Sequence, residues 1–201
     1  MSTDLGVSRE TLEKLQIYVQ LLRKWNTKIN LVAKSTLDAA WTRHIQDSLQ
    51  LFHVKHQRGG KWTDLGTGGG FPGLVLAITA PDFDDNLTFT FVESDQRKCA
   101  FLRTVLRETS TKADVLATRI EQTPAQESDI VSARALADLT SLLDFTDLHR
   151  RPGGVSVFPK GSSWKKEVKR AQESWRFELD VLKSKTAPDS VILKIGEIAR
   201  V

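Results

Sequence analysis

The sequence predicts an α/β fold: a seven-stranded, mostly parallel, doubly wound Rossmann-like sheet with an antiparallel C-terminal hairpin, preceded by an N-terminal helical cap. Three observations predict it. Helical periodicity gives way to short apolar strands at Lys61. From there strands and helices alternate, the pattern of a parallel sheet with crossover helices. The last two strand-like runs, Trp175–Lys183 and Ser190–Ile195, follow each other without a helix between them, as an antiparallel pair does. A chain of 201 residues is long enough for one domain with a full core and a small extension. Residues 1–60 read as the cap and 61–201 as the α/β domain.

In the cap, Ser8 suits the N-cap of an amphipathic helix whose apolar side is Leu12, Leu15, Val19 and Leu22. Ser35 with Asp38 has the form of a capping box for a second helix through Ile45 and Leu49. A strand then ends at Leu65 and a helix starts at Pro72, whose missing N–H is not needed in a first turn. Leu87–Val92 is the second strand, Asp95–Arg107 a helix, Ala113–Thr118 the third strand and Asp129–Ala133 the fourth. Leu136–Leu148 reads as a helix, Pro152-Gly153-Gly154 as a turn, Val155–Pro159 as a strand, and a helix follows from Ser162. Asp82–Asn86 and Thr123–Ser128 read as surface loops.

Between the first strand and its helix lies Asp64-Leu65-Gly66-Thr67-Gly68-Gly69-Gly70-Phe71-Pro72-Gly73. Glycine reaches positive φ at low cost and lets main-chain N–H groups approach a ligand, so this run is a cofactor cradle. Gly68, Gly70 and Gly73 spell the dinucleotide pattern G-x-G-x-x-G, but counted from the strand end the turn reads G-x-G-x-G from Gly66, with Asp64 two residues earlier. A carboxylate there repels a pyrophosphate and suits the ammonium and sulfonium of S-adenosylmethionine. Glu93, at the C-terminal end of the second strand, stands where doubly wound folds meet ribose hydroxyls.

Charge is uneven along the chain. Residues 1–61 carry ten Lys/Arg and five Asp/Glu, residues 62–149 seven and fourteen, and residues 150–201 twelve and six, for a total of +4. Basic flanks suit a polyanion such as RNA, and the acidic middle suits a small cationic cofactor. Trp164, Lys165, Lys166, Lys169 and Arg170 follow Lys160 at helical spacing, so four cations share one helix side next to an aromatic, which reads as a phosphate-contact face or as an ordinary solvated one. Lys24, Lys28, Lys34 and Arg43 are candidates to extend that footprint. Trp41, His44 and Asp47 recur at three-residue spacing, which on an α-helix puts them on one face, able to receive a splayed-out base. A lone Cys99 forms no internal disulfide and the four histidines have no metal-ligand spacing with it, so no structural metal is expected. No run approaches membrane-spanning length and there is no charged-then-apolar leader, so cytoplasmic residence without membrane association is expected.

With these features in hand the sequence resembles the RsmG family, also called glucose-inhibited division protein B, of bacterial ribosomal-RNA methyltransferases. The likeness covers nearly the whole chain. It rests on Trp25-Asn26-Thr27-Lys28-Ile29-Asn30-Leu31-Val32, Arg43-His44-Ile45-Gln46-Asp47-Ser48, Gly66–Gly73, Glu93-Ser94 with Arg97-Lys98 and Phe101-Leu102, Ser132-Ala133-Arg134-Ala135, and Phe158-Pro159-Lys160-Gly161. The resemblance implies a class I methyltransferase sheet, S-adenosyl-L-methionine as cofactor, and methylation of N7 of a guanine in the decoding-region loop of 16S rRNA, on RNA or the small ribosomal subunit. It implies that Gly66, Gly68 and Phe71 line the methionine side of the cofactor, that Glu93 holds the ribose, that Ile120 and Glu121 bracket the adenine, and that Arg134 ends the fourth strand beside the cofactor.

The chemistry agrees with the residues available. N7 of guanine has an exposed lone pair and needs no deprotonation, so the lack of an obvious general base is no obstacle. Carbon methylation would use a cysteine nucleophile, and Cys99 lies in a helix away from any strand end. Amino methylation usually shows Asn/Asp-Pro-Pro-aromatic after the fourth strand, where this chain has Ala133-Arg134-Ala135. Catalytic candidates are therefore His44, Asp47 and Arg134; Arg134 suits the cofactor carboxylate or guanine O6, or a salt bridge to a nearby carboxylate. Two other readings stay open on sequence: an NAD-type oxidoreductase using Gly68, Gly70 and Gly73, and a non-catalytic RNA-binding factor on the same fold. A monomer is expected, because no long apolar face is left once sheet and cap are packed.

Overall fold

A computed structural model describes residues 5–54 and 59–201. Helix α1 (Arg9–Asn26) starts where expected: the Ser8 hydroxyl accepts the Thr11 N–H at 3.2 Å. Leu15, Tyr18, Val19 and Leu22 form its buried stripe at i, i+3, i+4 and i+7. The expected second helix departs from its capping box. Lys34–Thr36 is an isolated tight turn, and continuous helix begins at Trp41 with a wide π-type turn, Trp41–Gln46, followed by α2 (Asp47–Leu49) and a 3-10 turn, Gln50–His53. The Thr36 hydroxyl donates to the Ala33 carbonyl at 2.7 Å and meets His44 Nε2 at 2.9 Å, so this segment closes on itself and does not open a helix at Ser35. Residues 1–4 and 55–58 of the cap lie outside the described residues.

The remaining elements are β1 (Gly60–Leu65), α3 (Gly73–Phe83), β2 (Leu87–Val92), α4 (Gln96–Glu108), β3 (Asp114–Leu116), β4 (Ser128–Ala133), α5 (Leu139–His149), β5 (Arg150–Lys160), α6 (Trp164–Ala171), β6 (Trp175–Lys183) and β7 (Val191–Arg200). They build one seven-stranded sheet in the order β3-β2-β1-β4-β5-β7-β6. Strands β1 to β5 pair in parallel, and β7 lies antiparallel to both β5 and β6. The expected turn at Pro152-Gly153-Gly154 lies instead inside β5. Ser128 pairs with Arg150 and Ile130 with Val155, so the intervening residues bulge out of the ladder. Proline has no N–H to give the ladder and Gly153 sits at φ +73°, so the chain leaves the pairing and rejoins it without ending the strand.

Two apolar layers cover the sheet. On one, Tyr18 and Leu22 of α1 share a cluster with Trp62, Phe71, Leu74 and Phe101; the Tyr18 ring lies 5.3 Å from Phe71 and 6.2 Å from Phe101. The cap is thus packed into the core that α3 and α4 form against the sheet. On the other layer Leu139 and Leu143 of α5 and Val168 and Ala171 of α6 share a cluster with Val131 of β4, Phe158 of β5, and Trp175 and Leu193 of the hairpin. No helix among the described residues is long and apolar enough to cross a membrane. The strand order reverses direction between β1, which leads outward to β2 and β3, and β4, which starts the other half. Ligands of open α/β sheets bind at such a switch point, beyond the strands' C-terminal ends.

Candidate active site

At that switch point lies a cavity of about 730 Å³. Its floor is Gly66–Gly69 and Phe71 after β1 with Arg134 and Ala135 after β4. The cap covers it with Asn30–Ala33, Thr36, Arg43, His44, Asp47 and Gln50, and the far wall is Pro159–Gly161 at the end of β5 with Ser184, Thr186, Ala187 and Ser190 from the β6–β7 turn.

The glycine loop is held from below. The Gly66 and Thr67 N–H groups donate to Val92 O at 2.8 and 3.2 Å, and the Thr67 hydroxyl donates to Asp64 O at 2.8 Å. Gly66 sits at φ +61°, which strains any L side chain, and a Cβ there would also push Leu136 Cδ1 aside from 2.5 Å. Gly68 (φ +56°) is different: a Cβ there has only Gly66 O within reach, at 3.7 Å, so the space above its backbone is open. That opening, beside Gly66–Gly69 backbone with no side chain over it, fits the methionine part of S-adenosylmethionine. Tyr18 fixes the loop from the cap by donating its hydroxyl to Gly69 O at 2.5 Å; burial pushes its pKa well up, so it stays a donor.

The two acidic residues expected at the cofactor are placed differently from each other. Glu93 bridges the loops after β1 and β2: its Oε2 accepts the Gly68 N–H at 2.9 Å and its Oε1 the Asp95 N–H at 2.8 Å. Asp64 is wholly buried under the glycine loop and does not line the cavity. Its Oδ1 accepts from Ser132 Oγ at 2.6 Å and its Oδ2 from the Gly73 N–H at 3.1 Å, while Trp62 Nε1 donates to Ser132 Oγ at 2.9 Å. This corrects the expectation that Asp64 presents its charge to the cofactor ammonium. Because the chain bends back at Gly66, the carboxylate two residues earlier points into the seam between β1, β4 and α3. Burial raises its pKa to about 6, against the lowering effect of Ser132, Thr67, Gly73 and Arg134. Ile120 and Glu121 sit on a short turn after β3; buried Ile120 packs in the α5 layer, its carbonyl meets His149 Nε2 at 3.0 Å, and neither residue lines the cavity.

Arg134 joins floor to cap. Its Nη1 lies 3.5 Å from Asp47 Oδ2 and donates to Arg43 O at 3.4 Å, its Nη2 meets His44 Nδ1 at 3.2 Å, and its guanidinium carbon stands 5.0 Å from the Phe71 ring centre. Ala135 follows at φ +52°, a conformation rare outside glycine, which turns the chain so that Arg134 faces the cap. His44 stacks on Phe71 with ring centres 4.7 Å apart. Burial, then Arg134 and then Arg43, lowers its pKa to about 4, so the ring is neutral at pH 7. An arginine donor at Nδ1 leaves Nε2 to carry the proton and donate to Thr36. The expected line of Trp41, His44 and Asp47 is only partly formed: the wide turn at Trp41–Gln46 removes the three-residue registry, Trp41 does not line the cavity, and Phe71 takes its place against His44.

The cation set divides in the same way. Lys165, Lys166, Lys169 and Arg170 lie on α6 across an arc of about 140° and all four are exposed, with Lys165 Nζ 5.6 Å from the Trp164 ring centre. Arg43 is exposed and borders the cavity. Lys160 departs from its expected place on a phosphate-binding surface. It is a cavity-wall residue whose ammonium donates to Ala137 O at 2.8 Å and to Glu167 Oε2 at 2.7 Å, since α6 packs its Glu167 against the end of β5. Sequence reasoning missed the residues that fix this frame. Asn26 accepts the N–H groups of Leu31 and Val32 at 2.9 and 3.0 Å and shapes the loop over the cavity, and Gln50 and Thr186 tie the cap to the hairpin. Asn26 stands inside the Trp25–Val32 motif; nothing local marks the other two.

Sheet order, switch-point cavity and glycine cradle define a Rossmann-like methyltransferase. Solved structures share that fold: a putative S-adenosyl-L-methionine-dependent methyltransferase from Methanococcus maripaludis (TM-score 0.60, 10% identity, covering 89% of this chain and 91% of that one) and a SAM-dependent methyltransferase from Aquifex aeolicus (TM-score 0.60, 11% identity, 89% and 97%). Sequence relatives narrow the class. The chain is 50% identical over 198 residues to a protein named ribosomal RNA small subunit methyltransferase G from Ruegeria sp. (98% of this chain, 96% of the relative), and 50% identical over 195 residues to the protein of the same name from Rhodospirillum centenum (96% and 88%). The family described as GidB, rRNA small subunit methyltransferase G, matches residues 11–191, and the chain belongs to it. Methylation of small-subunit ribosomal RNA with S-adenosylmethionine as donor is the activity that this membership carries.

Proposed function

We propose that this chain methylates N7 of a guanine in the decoding-region loop of 16S rRNA, as a monomer in the cytoplasm. The observation that carries this reading is the switch-point cavity: one side is bare glycine backbone, the other is polar side chains of the cap and hairpin, and Arg134 is fixed between them.

When bound, S-adenosylmethionine supplies an electrophilic methyl on a sulfonium, which an in-line nucleophile displaces. The chain's own work is to hold and orient. Gly66–Gly69 backbone, with Phe71 beside it, would cradle the donor; Glu93 holds the Gly68 N–H from outside the cavity lining and would serve ribose hydroxyls only by giving up that bond. Positioning of this kind supplies several kcal/mol of a bimolecular barrier. His44 is neutral, with both ring nitrogens engaged, so it takes no proton; a target atom with a free lone pair asks for none. Arg134 presents a guanidinium able to donate to guanine O6, which leaves the N7 lone pair free to attack.

The direct test is labelled methyl transfer from S-adenosylmethionine onto small subunits, and separately onto naked 16S rRNA, from a strain lacking this methylation. Label at a single 7-methylguanosine in the decoding region is the expected result. Label on another atom, or none by a protein that binds the donor, rejects the reading.

Gly68→Val fills the open space above the loop and forces a β-branched residue to positive φ. Donor affinity measured by calorimetry should fall at least 30-fold, while the unfolding midpoint moves by only a few degrees.

The basic face of α6 supports the RNA side. Replacing Lys165, Lys166, Lys169 and Arg170 together by alanine should weaken RNA binding at low salt and flatten the slope of log K against log[salt] by roughly 0.7–0.9 for each phosphate no longer neutralised. Donor affinity should stay unchanged, and a salt slope equal to that of the wild type would remove α6 from the interface.

A further inference from the structure

The β6–β7 turn carries no glycine motif and none of the catalytic candidates, yet it forms part of the cavity wall through Ser184, Thr186, Ala187 and Ser190. It is fastened to the cap by side chains far away in sequence. The Thr186 hydroxyl donates to Asp47 Oδ1 at 2.5 Å, the Lys185 N–H donates to Gln50 Oε1 at 3.0 Å, and Gln50 Nε2 donates to Asp47 Oδ1 at 2.9 Å and to Ser184 Oγ at 3.3 Å. Ser184 Oγ in turn accepts the N–H groups of Thr186 and Ala187 at 3.2 and 3.3 Å, which sets the turn's own shape. Gln50 is only 6% exposed, so these bonds form away from bulk water, where they hold geometry more firmly.

The fastening is continuous with the centre of the site. From Phe71 the path runs to Arg134, from Arg134 to Asp47, and from Asp47 to Thr186. One end of this path is the glycine-loop side; the other is the hairpin turn. In an in-line displacement the nucleophile enters opposite the leaving group, so with the donor on the glycine side the acceptor approaches from the hairpin side. The polar groups there suit an uncharged base more than a phosphate: Asp47 is paired with Arg134 and Glu167 with Lys160, and the turn adds hydroxyls.

We infer that the turn Ser184–Ser190, clamped to the cap by Thr186 and Gln50 through Asp47, is the wall that receives the acceptor base, and that Thr186 and Gln50 are positioning residues for that base. This rests on the methyl-transfer reading above. A purine nucleotide swung out of its stack is the ligand class that such a wall takes.

The test compares wild type, Thr186→Val, Thr186→Ser and Gln50→Leu in full-length protein, reading KM for the small subunit, kcat, donor Kd and unfolding midpoint. Thr186→Val, nearly isosteric but lacking the hydroxyl, should raise KM for the subunit about tenfold. Its donor Kd should stay within twofold and its midpoint within a few degrees. Thr186→Ser restores the bond to Asp47 and should recover KM to within threefold of wild type, and Gln50→Leu should follow Thr186→Val. An unchanged KM in Thr186→Val overturns the inference, as does a change in donor Kd and KM by the same factor, since that marks general loosening. Failure of the wild type to bind the donor rejects the methyl-transfer reading itself, a result distinct from either.

Discussion

Arg134→Ala is expected to lower kcat/KM for small-subunit methylation at least 100-fold, about 2.7 kcal/mol of transition-state stabilisation. The side chain has four simultaneous partners: the Asp47 carboxylate, the Arg43 carbonyl, His44 Nδ1 and the Phe71 face. Alanine leaves Asp47, with a side chain only 18% exposed, without its counter-charge, and removes the cation held over Phe71. Lysine should recover little. A single ammonium cannot fork between Asp47 and His44 or lie flat on an aromatic ring as a guanidinium does, so Arg134→Lys should stay below a tenth of wild-type kcat/KM. Methyl incorporation under saturating donor reads the effect, with circular dichroism showing that the fold is kept. Activity within fivefold of wild type in Arg134→Ala would make this residue a structural ion pair only.

Asp64 carries the largest expected effect on stability. Its two oxygens satisfy Ser132 Oγ and the Gly73 N–H, and Gly73 begins α3 so close to β1 that a Cβ there would lie 2.7 Å from Asp64 Oδ2. Asp64→Ala leaves two buried donors without acceptors and should cost about 3 kcal/mol, with donor affinity falling as the loop loses its base. The pH dependence follows from the raised pKa. A carboxyl at about 6 in the fold, against 3.8 normally, binds its proton more tightly folded than unfolded. Its contribution to stability is therefore complete below pH 3.8 and is lost as pH rises through 6, a change of about 3 kcal/mol. Denaturant unfolding between about pH 4 and 8 should show this decline in the wild type relative to Asp64→Asn, which has no proton to lose. Parallel stability curves for the two proteins would mean that Asp64 is ionised throughout.

Asp64 also shows where sequence reading reaches its limit. Its presence before the glycine turn was legible, and so was its importance, but its direction was not: a side chain at a strand's end points either to ligand or to core, and only the packing of α3 on β1 decides. Lys160 repeats the lesson. Its motif stood out, yet its ammonium belongs to Glu167, because α6 brings that carboxylate to it. Trp41 was displaced from the expected stack by a helical turn wider than the α spacing assumed for it.

The sequence by itself determined the strand and helix alternation, the glycine cradle, the family, and thereby the donor and the RNA substrate, because periodicity, positive-φ glycines and short motifs are properties of neighbouring residues. Tertiary structure decided what depends on residues distant along the chain. It brought Arg134 against His44 across 90 positions and Thr186 against Asp47 across 139. It also buried Asp64 beneath the glycine loop, away from the cavity. Contacts of that range arise from sheet order and helix packing, which no local pattern encodes.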